Sequence, residues 1–292
     1  MDVCLIPAFR RPEFLWHCLA NIKRADRANE IHYIFRLDHG FDPDCLKVIE
    51  GFPFSHEVTY THRTRWRLAK QSYSLLTGYR LAAQKTERLV FMIEEDVMVA
   101  TDFFRWHYAV QDLFELFCSI AVSNPNRHII DIGGPEHFYL SSGDYCSLGV
   151  CFPKATLERF VLPHANDRYY IHPANYCKAA FGKTPIGEGY VEQDGLIRRA
   201  QMAVGASEAI AWPFTPRAYH AGLYGKNRGS YPHGPMAKRL AYVTDVIYSD
   251  EAMRKFAQHP AYYEDSKPIN LNAEPWTHLT LKPLDSEINE MI

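Results

Sequence analysis

Three carboxylates follow directly on a run of apolar residues in the stretch LVFMIEEDVMVATDFF, residues 89–104. They belong to Glu94, Glu95 and Asp96, and the apolar run before them is short enough for a central parallel strand. Carboxylates at the carboxyl end of such a strand suit Mg²⁺ or Mn²⁺, because hard cations prefer oxygen ligands and are often shared with substrate phosphates. The alternative is a strand end whose solvated acids cap the next helix.

A second group of chemically active residues lies in PRAYHAGLYGKNRGSYPHG, residues 216–234. In this stretch His220 could ligate a metal or contact a diphosphate, and Lys226 and Arg228 could neutralise phosphate. The alternative is a surface loop whose charges are solvated. We favour the binding interpretation, because a solvated loop does not need interleaved glycines and aromatic residues.

Hydrophobic spacing predicts that the first third of the chain alternates strands and helices. Continuous or alternating apolar runs indicate strands, and apolar residues at 3.6-residue spacing indicate helices. The order strand, helix, strand, helix, strand is typical of a doubly wound sheet, whose ligands bind beyond the carboxyl ends of the strands. Arg10, Asp38 and the three acids fall at those ends. The predicted strands are residues 2–7, 31–38 and 89–93, and the predicted helices are residues 12–22 and 68–83.

Beyond residue 104 the pattern predicts a looser succession of elements. Residues 103–122 predict one helix, and residues 163–189, rich in Pro, Gly, Asn and Tyr, predict a binding loop. The tail from residue 259 contains four prolines and predicts an irregular wrap. The other predicted elements are strands at residues 129–134 and 147–152 and helices at residues 154–161, 192–203 and 236–248.

The composition limits the class of protein. A formal net charge of −2 over 292 residues gives no overall basic field for nucleic acid or anionic membrane. Residues 62–70, HRTRWRLAK, are either a local basic patch or a solvated helix start. The seven cysteines occur singly, which argues against a disulfide framework or a structural zinc site. No apolar run approaches the roughly 20 residues that span a bilayer, so we expect a soluble, cytoplasmic protein.

The acidic stretch and its flanks resemble a known family. LVFMIEEDVMVATDFFRW is similar to the metal-binding segment of GT-A glycosyltransferases, especially the N-acetylglucosaminyltransferase I type. VCLIPAFRRPEFLWHCL resembles that family's first strand and arginine-bearing loop, IFRLDHG its second strand, and THRTRWRLAKQSYSLLTGY the helix before the acidic segment. The likeness covers about residues 3–107 and continues in patches to about residue 235.

The resemblance implies a fold and a division of the chain. The fold would be α/β, a GT-A, Rossmann-like mixed and mostly parallel sheet with helices on both faces. Residues 1–235 would form the catalytic domain, with a nucleotide-binding half at about 1–107 and an acceptor half at about 108–235. Residues 236–292 would add a C-terminal helix and an irregular wrap.

The resemblance also implies how a nucleotide-sugar donor is bound. Arg10 would contact the donor diphosphate, although it could equally be a surface arginine. Asp38 would hydrogen-bond the nucleotide base, with Pro7 and Ala8 lining the base pocket, although LDHG could also be a simple turn.

In the acidic stretch the resemblance assigns different roles to the three acids. Asp96 would be the direct ligand of Mn²⁺ or Mg²⁺, and Glu94 and Glu95 would touch ribose or sugar hydroxyls of the donor. A flexible loop in the region of His220, Lys226 and Arg228 would close over the donor.

Sugar transfer also needs a base for the acceptor hydroxyl. The stretch GEGYVEQDGLIRRA, residues 187–200, offers Glu188, Glu192 and Asp194 at a junction between a loop and a helix. Asp194 lies where the resemblance places the catalytic acidic residue. The alternative is that these acids cap a helix N-terminus, which is favourable and common.

The leading hypothesis is a metal-dependent, inverting glycosyltransferase that uses a nucleotide-sugar donor. Its acceptor is undetermined: a small glycan, a lipid head group, a protein and a hydroxymethylated base in DNA are all open. The DNA base is a serious candidate, because soluble GT-A-like enzymes of phages and base-J-making parasites modify such bases. The alternatives are a metal-dependent phosphohydrolase or nuclease and a non-catalytic nucleotide-sugar-binding protein. P-loop and dinucleotide-binding interpretations fail, because neither GxxxxGK[ST] nor GxGxxG occurs.

Overall fold

The computed structural model describes residues 1–62, 70–113, 115–122, 138–141, 145–204, 210–213 and 216–220. Strands and helices alternate in the first half of the chain, as the hydrophobic spacing predicts. These elements are β1 (Val3–Ala8), α1 (Pro12–Arg24), β2 (His32–Leu37), α2 (Asp44–Glu50), β3 (His56–Tyr60), α3 (Lys70–Lys85), β4 (Leu89–Met92), β5 (Val97–Val99) and α4 (Phe103–Leu113).

The second half is built from shorter elements. They are β6 (Cys118–Ile120), β7 (Phe138–Ser141), β8 (Val150–Pro153), α5 (Lys154–Thr156), α6 (Asp167–Ile171), α7 (Pro173–Phe181), α8 (Gln193–Val204), β9 (Ile210–Pro213) and β10 (Ala218–His220). A π-helical turn at Leu157–Val161 continues α5, and 3₁₀ turns occur at Ala28–Glu30 and Leu162–His164.

The strands form one large sheet and one small ribbon. The sheet has the order β3-β2-β1-β4-β8-β6-β9-β7, and β10 pairs with β5 in the ribbon. Strands β3, β2, β1 and β4 are mutually parallel, β6 and β9 run in the same direction, and β8 and β7 are antiparallel to their neighbours. This mixed but mostly parallel, Rossmann-like sheet confirms the predicted fold class.

Helices cover both faces of the sheet, because successive side chains of each strand point to opposite faces. In β1 the side chains of Cys4 and Ile6 pack into one core with α1, α2 and α4, while Val3 and Leu5 pack into a second core with α3 and α8. Close packing on the second face depends on Gly78 of α3, where an added Cβ would lie 2.9 Å from the Leu5 side chain.

Two predicted elements of the second half are wrong. The predicted helix at residues 103–122 ends at Leu113, and Cys118–Ile120 forms strand β6 between β8 and β9. A continuous apolar run fits a buried strand as well as a buried helix, so its periodicity could not separate the two.

The predicted binding loop at residues 163–189 contains helices α6 and α7. Its loop-like residues mark helix ends: Asn166 accepts a hydrogen bond from Tyr169 N, Pro173 begins α7, and Gly182 ends it with a φ of 68°. The other described elements confirm the predicted strands at residues 2–7, 31–38 and 89–93 and the helices at residues 12–22, 154–161 and 192–203. The strand predicted at residues 147–152 begins only at Val150, and the helix predicted at residues 68–83 is confirmed from Lys70, where the described residues resume.

Several predictions fall outside the described residues. They are the strand at residues 129–134, the helix at 236–248, the irregular tail, and residues 63–69 of the basic patch. The division at residue 235 stays a prediction. All seven cysteines are free, and among the described residues no helix is long and apolar enough to cross a bilayer.

Candidate active site

The acidic triplet lies in the turn that joins β4 to β5, beyond the carboxyl end of the central parallel strand. Glu95 and Asp96 are buried, and Glu94 is partly exposed. Antiparallel pairing of β5 with β10 sets His220 opposite Val97, the residue after Asp96. The ribbon therefore brings together two predicted metal ligands that are 124 residues apart in the chain.

The two oxygens of Asp96 have different surroundings. Oδ2 lies 3.0 Å from His220 Nε2 and accepts a hydrogen bond from Arg11 Nη1, whereas the buried Oδ1 has no hydrogen-bond partner among the described residues. Burial by itself would raise the pKa of Asp96, but His220 and Arg11 outweigh it and lower that pKa to about 2. Asp96 is therefore ionised and keeps one oxygen for a further ligand.

Glu95 ties the triplet to the loop after β1. Its Oε2 accepts from the Phe9 amide and its Oε1 from Arg11 Nε, each at 2.7 Å. Burial raises the pKa of Glu95 to about 7 even though Arg11 and the Phe9 amide both lower it. Glu95 thus fixes the backbone and the arginine of the first loop.

Arg11 is a site residue that the sequence interpretation missed. Burial by itself would lower the pKa of Arg11, but Asp96 and Glu95 raise it above its ordinary value, so the guanidinium is always charged. The sequence shows two adjacent arginines before Pro12, Arg10 and Arg11. Hydrophobic periodicity cannot tell which of two adjacent loop residues points into the site.

Arg10, which the resemblance selects, points elsewhere. Its Nε donates to Gly40 O at 2.7 Å, and its guanidinium lies 4.7 Å from the centre of the Phe9 ring. Gly40, in the turn after β2, has a φ of 79°, a left-handed conformation that glycine adopts without strain. This conformation allows the turn to approach Arg10. The exposed Arg10 therefore bridges the loops after β1 and β2 at the rim of the site.

The predicted base-binding residues come together at the same edge of the sheet. The Asp38 amide donates to Ala8 O at 3.1 Å, and Asp38 Oδ1 accepts from the His39 amide at 2.9 Å. Pro7 and Ala8 end β1, and Ala8 is buried. These residues lie at the carboxyl ends of two neighbouring parallel strands, which is where ligands of such sheets bind. Lys226 and Arg228 lie outside the described residues.

Asp194 faces Glu94 across a serine. The Ser147 hydroxyl lies 3.0 Å from Glu94 Oε1 and 3.4 Å from Asp194 Oδ2, and Asp194 Oδ1 is buried without a partner among the described residues. Burial and then the charges of Asp96 and Asp194 raise the pKa of Glu94 to about 7. Burial also raises the pKa of Asp194, to about 6, which is the range of a general base at neutral pH. Sequence reasoning could not find Ser147, because a single serine before a strand carries no signal.

The helix that carries Asp194 is tied to α3. Ser72 Oγ accepts from the Gln193 amide at 3.0 Å and donates to Gln193 Oε1 at 2.9 Å, and all of these atoms are buried. This reciprocal pair caps the first turn of α8. The position of Asp194 is therefore set by the contact of α8 with α3.

The protein residues present fit a divalent cation that is shared with a substrate. No group of three His, Cys, Asp or Glu residues is placed to hold a metal within the described ranges. Asp96 Oδ1 and, in its neutral form, the His220 imidazole can supply two ligands, and phosphate oxygens would supply others. Mn²⁺ accepts this mixed oxygen and nitrogen set.

No family model matches the chain, and no curated protein sequence is significantly similar to it. Solved structures do resemble it. The S. aureus TarS 1–349 structure in complex with UDP-GlcNAc has a TM-score of 0.50 at 11% identity, and the match covers 90% of this chain and 72% of that one. A second S. aureus TarS structure gives 0.49 at 10% identity, with 90% and 43% covered.

Core-mannan synthase A of Aspergillus fumigatus, in its Mn/GDP form, gives a TM-score of 0.42 at 13% identity, with 82% of each chain covered. At these identities the likeness is one of fold. The chain therefore shares the α/β, Rossmann-like fold of the S. aureus TarS 1–349 structure.

Proposed function

We propose that the protein is a metal-dependent, inverting glycosyltransferase that moves a sugar from a nucleoside-diphosphate-sugar donor to a hydroxyl acceptor. The observation that carries this proposal is the state of Asp96. It is buried, ionised, held on one oxygen by Arg11 and His220, and left with a second oxygen that has no partner among the described residues. A buried acceptor atom without a partner is costly unless a ligand satisfies it.

Donor binding would use the carboxyl ends of β1, β2 and β4. Asp38 with Pro7 and Ala8 would take the base, and Arg10 the diphosphate. Asp96 and His220 would hold Mn²⁺ or Mg²⁺, which neutralises charge on the leaving diphosphate. Glu94 and Glu95 would line the ribose or sugar, and Lys226 and Arg228 would add positive charge over the phosphates.

Asp194 would act as the base. With a pKa of about 6 it is mainly ionised at neutral pH and can accept the proton of an acceptor hydroxyl. Ser147 holds its Oδ2, and Oδ1 is left to meet the acceptor. The acceptor itself is a separate question. A hydroxymethylated DNA base is the acceptor class that the sequence resemblance suggests. The assay therefore includes a separate reaction with such a base.

A donor panel tests the proposal directly. UDP-GlcNAc, UDP-glucose, UDP-galactose and GDP-mannose are each added with Mn²⁺ or with EDTA. Thermal stabilisation and released nucleoside diphosphate are then measured, with and without an oligonucleotide that carries 5-hydroxymethylcytosine. We expect one donor to stabilise the protein only when metal is present. Nucleotide release from DNA without a sugar donor would instead indicate a nuclease, and binding without turnover a non-catalytic protein.

Asp96→Asn should abolish metal-dependent donor binding, because the substitution removes a negative ligand and leaves Glu95 as the remaining carboxylate partner of Arg11. Isothermal titration calorimetry of Mn²⁺ with UDP is the measurement, and we expect at least a tenfold loss of affinity, about 1.4 kcal/mol. Asp112→Asn is the matched control, since that exposed aspartate pairs with Arg88 on the surface. Normal metal and donor binding by Asp96→Asn would show that the acidic site is misassigned.

A further inference from the structure

Tyr190 is a large aromatic residue with 41% of its surface exposed, and it stands four residues before Asp194. Its place in the chain is the end of the loop that leads into α8. An exposed tyrosine on a surface loop needs no explanation by itself. Tyr190 differs from an ordinary exposed tyrosine in the contacts of its backbone.

The backbone of Tyr190 is fixed by two buried contacts. Its carbonyl accepts from Nη1 of Arg199, a buried arginine of α8 that also donates to Gly187 O and Gly195 O at 3.0 Å. The carbonyl also lies against Gly195, where an added Cβ would be only 2.0 Å away. The Tyr190 ring is thus exposed to solvent, while residues of α8 hold the Tyr190 backbone in place.

The Tyr190 hydroxyl lies close enough to the Asp194 carboxylate to lower its pKa, although burial raises that pKa more. The exposed ring therefore belongs to a residue that neighbours the proposed base. Because Ser147 takes the Oδ2 atom of Asp194, the unpartnered Oδ1 is the atom available to an acceptor hydroxyl.

The charges along this loop select against a polyanion. Glu188 is exposed two residues before Tyr190, and Glu192 follows two residues after it. Phosphate groups of a nucleic acid would be repelled by these acids together with Asp194, and Arg198 near Tyr190 offsets only part of that negative charge. A neutral ring with hydroxyl groups would meet no such repulsion. The C–H face of a pyranose can pack on the negative face of an aromatic ring.

We propose that Tyr190 is the acceptor platform of the site and that the acceptor is a neutral saccharide, whose pyranose ring stacks on Tyr190 with one hydroxyl directed at Asp194. This inference rests on the glycosyl transfer proposed above. In the transfer step the acceptor oxygen bonds to the anomeric carbon of the donor and its proton passes to Asp194. The bond from that carbon to the diphosphate breaks, and its electron pair leaves with the nucleoside diphosphate.

The test uses the methyl glycosides of glucose, galactose, mannose and N-acetylglucosamine. Saturation-transfer-difference NMR measures their binding to the full chain, and nucleoside diphosphate release in the presence of donor and Mn²⁺ measures transfer. Tyr190→Ala should raise the KM for the accepted glycoside about tenfold or more, in line with the loss of one stacked ring, and should reduce kcat less. Tyr190→Phe should keep that KM within about threefold.

Trp16→Ala is the matched control, because Trp16 is 49% exposed and lines a surface groove between α1 and α2. It should leave the glycoside KM unchanged, and circular dichroism checks the fold of all three variants. The inference is overturned if Tyr190→Ala keeps the wild-type KM, if no glycoside binds, or if only the hydroxymethylated oligonucleotide is glycosylated. Glycoside binding that depends on Tyr190, without use of any sugar nucleotide, would support the saccharide site and reject the glycosyltransferase function.

Discussion

Three consecutive acids have three different environments in this protein. Asp96 contacts Arg11 and His220 and has its pKa lowered to about 2, while burial raises the pKa values of Glu94 and Glu95 to about 7. Both carboxylate oxygens of Glu95 accept hydrogen bonds from the loop after β1. The Ser147 hydroxyl lies within hydrogen-bond distance of both Glu94 and Asp194. At the scale of the residue, charge is therefore concentrated on Asp96, and the neighbouring acids can be neutral near pH 7.

Asp194→Asn should retain donor binding but lose transfer, because the amide cannot accept the acceptor proton. We expect a loss of at least about 100-fold in kcat, the lower range for a general base. The wild-type kcat/KM should rise with pH up to about 6 and then level off, since only the ionised form of Asp194 is active. Near-normal transfer by Asp194→Asn would rule this residue out as the base.

The raised pKa of Glu94 predicts a pH dependence of stability. The pKa of Glu94 is about 7 in the folded state and 4.5 ordinarily. Between pH 4.5 and pH 7 the Glu94 carboxyl is therefore protonated in the folded state and ionised in the unfolded chain. The free energy of unfolding of the metal-free protein should therefore fall as pH rises from 5 to 7.5, by an amount on the order of 1–3 kcal/mol.

Urea denaturation in EDTA at a series of pH values measures this decrease. Glu94→Gln is the comparison variant, because it removes the titrating group and keeps an oxygen that can accept from Ser147. Its unfolding free energy should vary less with pH. An equal slope for both proteins would place the titration on another group.

At the scale of the element, short strands are positioned by buried contacts around them. Arg217 Nε donates to Asp102 Oδ2 at 2.8 Å, and both side chains are buried. The Arg217 backbone accepts from the Ala100 amide and donates to Ala121 O. These contacts fix the register of the three-residue strands β5 and β10 and thereby the distance between Asp96 and His220.

Gly195→Ala should damage α8, because the new Cβ would fall 2.0 Å from Tyr190 O. We expect a loss of about 1–3 kcal/mol in unfolding free energy, together with slower transfer as Asp194 is displaced. Gly189→Ala is the control in the same loop, since an added Cβ there meets nothing within 4 Å. Urea denaturation of the two variants, side by side, checks the prediction, and equal stabilities would contradict it.

Elements with strong periodicity could be predicted from the sequence, and elements without it could not. Helix α1 follows the spacing of its buried apolar residues, and β4 follows a continuous apolar run. Strands β3 and β5 were not predicted. β3 is only partly buried and has no clear alternation, and β5 has three residues whose partner β10 is far away in the sequence.

The same distinction applies to the residues of the candidate site: some could be predicted from local sequence, and others depend on contacts with distant parts of the chain. Asp96, His220 and Asp194 could be selected by residue type and by resemblance, and the structure brings His220 and Asp96 into contact. Arg11, Ser147 and Tyr190 could not be selected, because their roles depend on contacts 85, 47 and 9 residues away in the chain. Such pairings exist only after the sheet has formed.

At the scale of the molecule, separate parts of the chain meet at one edge of the sheet. The loop after β1, the turn after β2 and the β4–β5 turn lie beyond the carboxyl ends of parallel strands, and β10 supplies His220. Ser147 links Glu94 of this edge to Asp194 at the start of α8. A ligand bound there touches segments that belong to both halves of the predicted catalytic domain.

Hydrogen exchange should reveal this convergence. Adding UDP with Mn²⁺ should slow exchange in residues 9–11, 38–40 and 95–97 together, because a bound nucleotide would cover all three. Helices α6 and α7, which pack on the second core, should show no change and serve as the internal control. Slowing in only one of the three segments would contradict a shared nucleotide site.

The two partners of Asp96 also differ in when the ribosome makes them. Arg11 precedes Asp96 by 85 residues, whereas His220 follows it by 124. During vectorial synthesis the carboxylate therefore emerges with one counter-ion already available, and the first four parallel strands can bury it without an uncompensated charge. Arg11 lets the amino-terminal part of the chain close around its acids before the histidine exists.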